Sequence, residues 1–194
     1  MGATAEPTDT VQIGVALAVP APFAQELAAA RESFGDTQAR AIPPHITILG
    51  PTEVSSAELP GIHQHLRDMA CQIDPFLVYL RSAGTFRPVS QVVFVQVAQG
   101  IAECEKLEAL VRSGPLASPA RFHYHPHVTV AHDVADSALN VAFADMGAYE
   151  ASFVVNDVIL YEHGADGIWR PMESFPLGSS FDDDFPTMQV APSD

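Results

Sequence analysis

The chain is short of three things, and each shortage excludes something. It has two cysteines, Cys71 and Cys104, in 194 residues. That is too few for a disulfide framework, and both fall in helix-like segments, so buried thiols are the expectation. It has only nine Lys and Arg against 24 Asp and Glu, a net charge of −15. Long nucleic acids bind mainly through phosphate neutralisation by basic stripes, so a broad RNA-binding surface is not expected. A few local arginines could still hold a small anionic ligand. Finally, no apolar run is long enough to cross a bilayer. The segment Met1 to Asp9 lacks the basic-then-apolar order of a secretion signal, so a cytoplasmic location is expected.

Apolar residues are plentiful. At 47% hydrophobic the chain can pack one ordinary domain, or two small lobes sharing a core. Val11 to Val19, bounded by prolines, predicts a strand. Ala21 to Phe34 follows as a helix, with Phe23, Leu27, Ala30 and Phe34 on one stripe. Pro43-Pro44 bias the chain to extended geometry before a short strand, His45 to Leu49, closed by Gly50-Pro51. Ser55 or Ser56 can cap the next helix, with Glu58 in its first turn and Leu59, Ile62, Leu66, Met69 and Ile73 in line. Pro75 to Leu80 and Gln91 to Val97 predict strands, Ile101 to Val111 a helix, His123 to Ala131 an extended segment, and Ser137 to Tyr149 a helix. Phe153 to Tyr161 and Ile168 to Phe175 predict a hairpin around His163 to Gly167. The polar end from residue 179 to 194, with Asp182, Asp183 and Asp184, is expected to be disordered, as are residues 1–9. Residues 10–178 are left as the folded unit.

Two triplets organise this layout: His45-Ile46-Thr47 and His127-Val128-Thr129, each preceded by proline and followed by aliphatics. A single histidine on an aliphatic strand is usually a packing residue, and a strand threonine is explained by β-propensity alone. Two copies in matched surroundings are another matter. Val11 to His45 spans 34 residues and Val92 to His127 spans 35, and both intervals read strand, helix, loop, Pro-His-x-Thr strand. The expected fold is α+β: a duplicated bilobal arrangement of two antiparallel sheets with outer helices around a central cleft. The two His-x-Thr strands are expected to face each other across it.

Strand alternation puts His45 with Thr47, and His127 with Thr129, on one face. Two imidazoles titrating near neutrality suit in-line displacement at phosphorus, one taking a proton from the attacking oxygen and one supplying it to the leaving oxygen. The threonine hydroxyls can donate to nonbridging phosphoryl oxygens. Such a site needs no metal or other cofactor. The run His123, His125, His127 could instead offer imidazoles to Zn²⁺, although no acidic or Cys ligand stands at a telling spacing nearby.

The stretches PPHITILG and HPHVTVAH resemble the two signature motifs of the 2H phosphoesterases, which include the 2′-5′ RNA ligase-like proteins and cyclic nucleotide phosphodiesterases. The resemblance covers about Val11 to Leu177. It implies a bilobal fold with His45 and His127 as the acid–base pair and Thr47 and Thr129 as phosphate binders. The reaction implied is opening of a cyclic phosphodiester, for example a 2′,3′-cyclic nucleotide or an RNA end, or the related transesterification. The acidic balance narrows the partner to something small, and a monomer is expected. Arg87 could pair with a phosphate and Phe86 could stack on a base. Arg121, Phe122, Tyr124 and Tyr161 are further candidates near the second motif, and Trp169 is expected in the core. A nucleotide-binding module without turnover, or a His-cluster metal hydrolase, would be the alternatives.

Overall fold

The computed structural model describes residues 9–119 and 122–178. Apart from Asp9, whose carbonyl accepts from the Ser56 N–H at 2.9 Å, the two ends expected to be disordered lie outside the described residues, as does Arg121. The elements run β1 (Thr10–Ala18), α1 (Phe23–Ser33), β2 (His45–Ser55), α2 (Leu59–Ala70), β3 (Phe76–Thr85), β4 (Val92–Gln99), α3 (Ile101–Val111), β5 (His127–His132), α4 (Asp136–Asp145), β6 (Glu150–Val155), β7 (Asp157–His163) and β8 (Trp169–Pro176).

The expected two sheets are one. Eight strands pair in the order β6-β3-β4-β5-β2-β1-β7-β8, antiparallel throughout. The halves join at β2 and β5, where Ile46 and Val128 are the only bridging partners. The two His-x-Thr strands are therefore neighbours in the middle of a sheet, not strands of separate sheets facing each other.

A second correction concerns the stretch read as one strand, Phe153 to Tyr161. It breaks at Asn156 into β6 and β7, which belong to different halves of the sheet. The buried residues show why: Phe153 and Val155 are two apart, Val155 and Val158 three apart, Val158 and Leu160 two apart. The three-residue step breaks the period of two that a continuous strand needs. The link also fixes the shape of the sheet. Two Cα steps from Val155 to Asp157 reach at most about 7.6 Å. Six strand spacings in a flat sheet would separate β6 from β7 by roughly 29 Å. The sheet must curl strongly to be joined this way.

Helices cover one face. α1 packs under β5 and α3 under β2, so each helix lies beneath the half of the sheet to which its own flanking strands do not belong. This reciprocal crossing ties the halves into a single core that includes Leu27, Ile46, Ile48, Cys104, Leu107, Val128, Val130 and Leu139. Cys104 is buried as expected, and burial pushes its thiol up to about 12. Cys71, expected to be buried as well, is exposed at the end of α2. Ser55 caps the turn into α2, its backbone N–H donating to Glu58 at 3.0 Å.

β2 does not stop at Gly50-Pro51 as expected. It continues to Ser55 because Gly50 and Pro51 together stand against Gly14 alone, between the pairs Val15–Leu49 and Ile13–Thr52. In that bulge the missing proline N–H breaks no ladder bond.

Candidate active site

The residues after the two threonines carry a matched irregularity. On β2, Thr47 and Leu49 pair with the consecutive Ala16 and Val15, leaving Ile48 as an extra residue. On β5, Thr129 and Ala131 pair with the consecutive Phe94 and Val93, leaving Val130 as the extra residue. Both strands therefore bulge immediately after their His-x-Thr triplet, a distortion that re-aims side chains. Ile46, Ile48, Val128 and Val130 are all buried beneath, while His45, Thr47, His127 and Thr129 are half-buried on the opposite face. The antiparallel bridge at Ile46 and Val128 sets His45 towards the Thr129 end of β5 and Thr47 towards the His127 end.

Each histidine ring is held by the carbonyl two residues before it. His45 Nδ1 lies 2.9 Å from the Pro43 oxygen, and His127 Nδ1 lies 2.7 Å from the His125 oxygen. A carbonyl only accepts, so both rings donate from Nδ1 and their Nε2 atoms carry the lone pair. Among the described residues neither Nε2 atom, nor either threonine hydroxyl, has a hydrogen-bond partner. Tyr124 braces this arrangement: its hydroxyl donates to the Thr47 carbonyl at 3.0 Å.

Both imidazoles are harder to protonate than a free histidine. Burial pushes His45 down and the Arg31 charge adds to the effect, against the bond to Pro43. Burial pushes His127 down to about 4, with the charges of His125 and His45 adding and the bond to the His125 carbonyl opposing. Arg31 is itself buried at the end of α1, its Nε 2.7 Å from Asp36. Asp36 also accepts from the Gln38 N–H at 2.8 Å, fixing the loop that delivers Pro43 and His45.

The two flanks differ. Beside His45 is an open cavity of about 120 Å³ whose lining includes Thr47, Leu49, Gly14, Tyr161 and Trp169. Trp169, expected in the core, is half-exposed and lies over Gly14, where an added Cβ would come within 3.0 Å of its ring. Beside His127 stand two phenyl rings. Phe86 meets its ring edge-on at 5.0 Å, Phe94 lies 4.9 Å away, and the two phenyl rings are 4.4 Å apart.

Of the remaining candidates, Tyr161 lines the cavity, Phe86 adjoins His127, and Tyr124 holds the Thr47 carbonyl through its hydroxyl. Arg87 is turned towards α4, donating to Asn140 at 2.9 Å and to Thr85 at 3.3 Å, both neutral partners. Phe122, His123 and His125 are exposed, and no group of three or more His, Cys, Asp or Glu among the described residues is placed to hold a metal ion. His63 and His65 point apart, to Glu173 on β8 and to the last carbonyls of α3. Trp169, Gly14 and Phe94 were missed in the sequence. A signal for the first existed: Tyr161 and Trp169 flank one hairpin, so placing Tyr161 near the site should have carried Trp169 with it.

A family model for the 2′-5′ RNA ligase superfamily matches residues 19–167. The chain belongs to the 2′-5′ RNA ligase superfamily. Within this 2H phosphoesterase group it is similar to a protein of Bacillus licheniformis whose name places it among phosphoesterases, 28% identical over 162 residues, covering 82% of this chain and 95% of the relative. A protein of Halalkalibacterium halodurans named in the same way is 29% identical over 167 residues, covering 85% and 96%. The fold is that of E. coli LigT: the structure complexed with 3′-AMP matches at 22% identity with a TM-score of 0.63, over 87% of this chain and 99% of LigT. Another LigT structure, complexed with NADP+, matches with a TM-score of 0.62 over the same shares.

Proposed function

We propose that this superfamily member is a metal-independent phosphodiesterase that opens small cyclic phosphodiesters of the 2′,3′-cyclic nucleotide type. The observation that carries the reading is the bridge between Ile46 and Val128, which puts two carbonyl-clamped imidazoles and two threonine hydroxyls on one face of adjacent strands.

The cavity beside His45 offers the Trp169 and Tyr161 rings to a base, and its small size agrees with an acidic protein that takes nucleotides rather than long RNA. LigT, complexed with 3′-AMP and NADP+, is a precedent for ligands of this size. With the nucleoside on the His45 side, the ring oxygen that leaves phosphorus departs towards His45, and water enters in line from the His127 side. His127 Nε2 takes the proton of the attacking water. Protonated His45 gives one to the leaving oxygen. Thr47 and Thr129 donate to the nonbridging oxygens as charge builds there.

The test is a panel of 2′,3′-cyclic nucleotides assayed with and without EDTA. Turnover that survives chelation, and that is lost in both His45→Ala and His127→Ala, supports the reading. Binding without turnover across the panel would make the protein a nucleotide-binding module. Activity lost to EDTA and restored by zinc would overturn the metal-independent mechanism.

A further inference from the structure

We propose that Phe86 walls the His127 side of the site and selects water over larger hydroxyl compounds as the attacking group, so that the protein hydrolyses cyclic phosphodiesters in preference to ligating them. The inference rests on the phosphodiesterase reading and goes beyond it by naming the class of the second substrate.

Hydrolysis and ligation of a cyclic phosphodiester differ only in what attacks. Water yields a phosphomonoester; the hydroxyl of another nucleotide yields a new phosphodiester. In both, the attacking oxygen bonds to phosphorus while the bond from phosphorus to one ring oxygen breaks. One imidazole receives the attacker's proton, and the other supplies a proton to the released oxygen. No oxidant or further reactant enters. The choice therefore lies in how much room the site leaves on the attacker's side.

The two sides are lined differently. The cavity lies with His45, and none of the residues lining it comes from β4 or β5. An in-line attacker must come from the opposite side, where Phe86 stands 5.0 Å from His127 and 5.9 Å from His125. The wall is fixed rather than a flap. Phe86 N–H donates to the Val92 carbonyl at 3.2 Å, and its own carbonyl accepts from Val89 at 2.9 Å. Its neighbour Arg87 ties the same turn to Thr85 and to Asn140 on α4. Behind it Phe94 is buried with the Cε2–Cζ edge of its ring against Gly84, where a Cβ would come within 2.5 Å of Cε2. The stack of Gly84, Phe94 and Phe86 leaves the aromatic rings no easy retreat.

The experiment uses the full chain, 2′,3′-cyclic AMP, and alcohols of increasing size as competing attackers: methanol, glycerol, then the 5′-hydroxyl of adenosine. The ratio of ester to monophosphate product is read by chromatography and normalised to alcohol concentration. In the wild type the ratio is expected to fall steeply with alcohol size. Phe86→Ala is expected to raise the glycerol and adenosine ratios by at least about tenfold, Phe86→Leu by less, and Phe86→Trp not at all. The wild-type size series stands even if a variant fails to fold. A wild type that transfers to glycerol as readily as to methanol overturns the wall. An active Phe86→Ala with unchanged ratios does the same. A wild type that turns over no cyclic nucleotide overturns the phosphodiesterase reading itself, and the inference falls with it.

Discussion

The His45 flank and the His127 flank are built on the same frame and finished differently. On each side a proline precedes the histidine, a carbonyl two residues back holds Nδ1, and a bulge follows the threonine. Beyond that the likeness ends. The His45 flank is an open cavity roofed by Trp169, and the His127 flank is packed with Phe86 and Phe94. The shared frame is what the proposed acid–base pair requires: the same tautomer and the same face of the sheet. On the proposed reading the unequal finish supplies direction, with the nucleoside on the His45 flank and the attacking group entering past Phe86.

The largest effect should come from breaking the frame. His45→Ala and His127→Ala are each expected to lower kcat against a cyclic nucleotide by about 10²–10⁴, the range for loss of general acid or base catalysis. The double variant should be scarcely worse than either single one, because the two imidazoles act as a unit. Steady-state kinetics on the three variants checks this, and additive losses would argue against a shared reaction.

The comparison can next be sharpened on the ligand side. Trp169→Ala is expected to raise KM about tenfold with a smaller change in kcat, since it removes a stacking surface worth about 1–3 kcal/mol without touching the proton-transfer groups. Gly14→Val should act in the same direction, by driving a side chain into the space the indole occupies. If KM is unchanged in both, the cavity does not hold the base.

The pH dependence tests both flanks together. Burial lowers both imidazole pKa values, His127 to about 4, so the singly protonated form lies below the ordinary histidine range. The bell-shaped profile of kcat/KM should therefore peak below about pH 6.5, the ordinary value for a histidine side chain. Stability carries the matching sign. A group protonated more readily in the unfolded chain than in the fold favours unfolding as pH falls, so stability should drop from about pH 6.5 downwards. For His127 the loss should level off near pH 4. Thermal melts across this range should show a weaker slope in His127→Ala.

The smallest effect expected is at the strut. Tyr124→Phe removes a hydrogen bond to the Thr47 carbonyl, a net loss of about 0.5–1.5 kcal/mol. Melting temperature should fall modestly, with KM for phosphate-bearing ligands rising only slightly.

The sequence by itself determined most of the elements and the pairing of the two triplets by pattern. Spacing fixed the helix Ile101–Val111 and the apolar stripe of α2 and narrowed the cap to Ser55 or Ser56, because local periodicity and capping need no distant partner; the structure chose Ser55. Alternation along His45 to Ile48 and His127 to Val130 fixed which side chains share a face, since a strand's period of two is a property of the backbone. Only the tertiary structure decided that the two strands are neighbours, because pairing between residues as far apart as Ile46 and Val128 has no local signature. It alone decided that β6 and β7 part at Asn156, that Trp169 lines a cavity instead of the core, and that Phe86 meets the His127 ring. Those outcomes depend on which side chains meet across a curled sheet, and the triplets, identical in pattern, carry no trace of the difference between their surroundings.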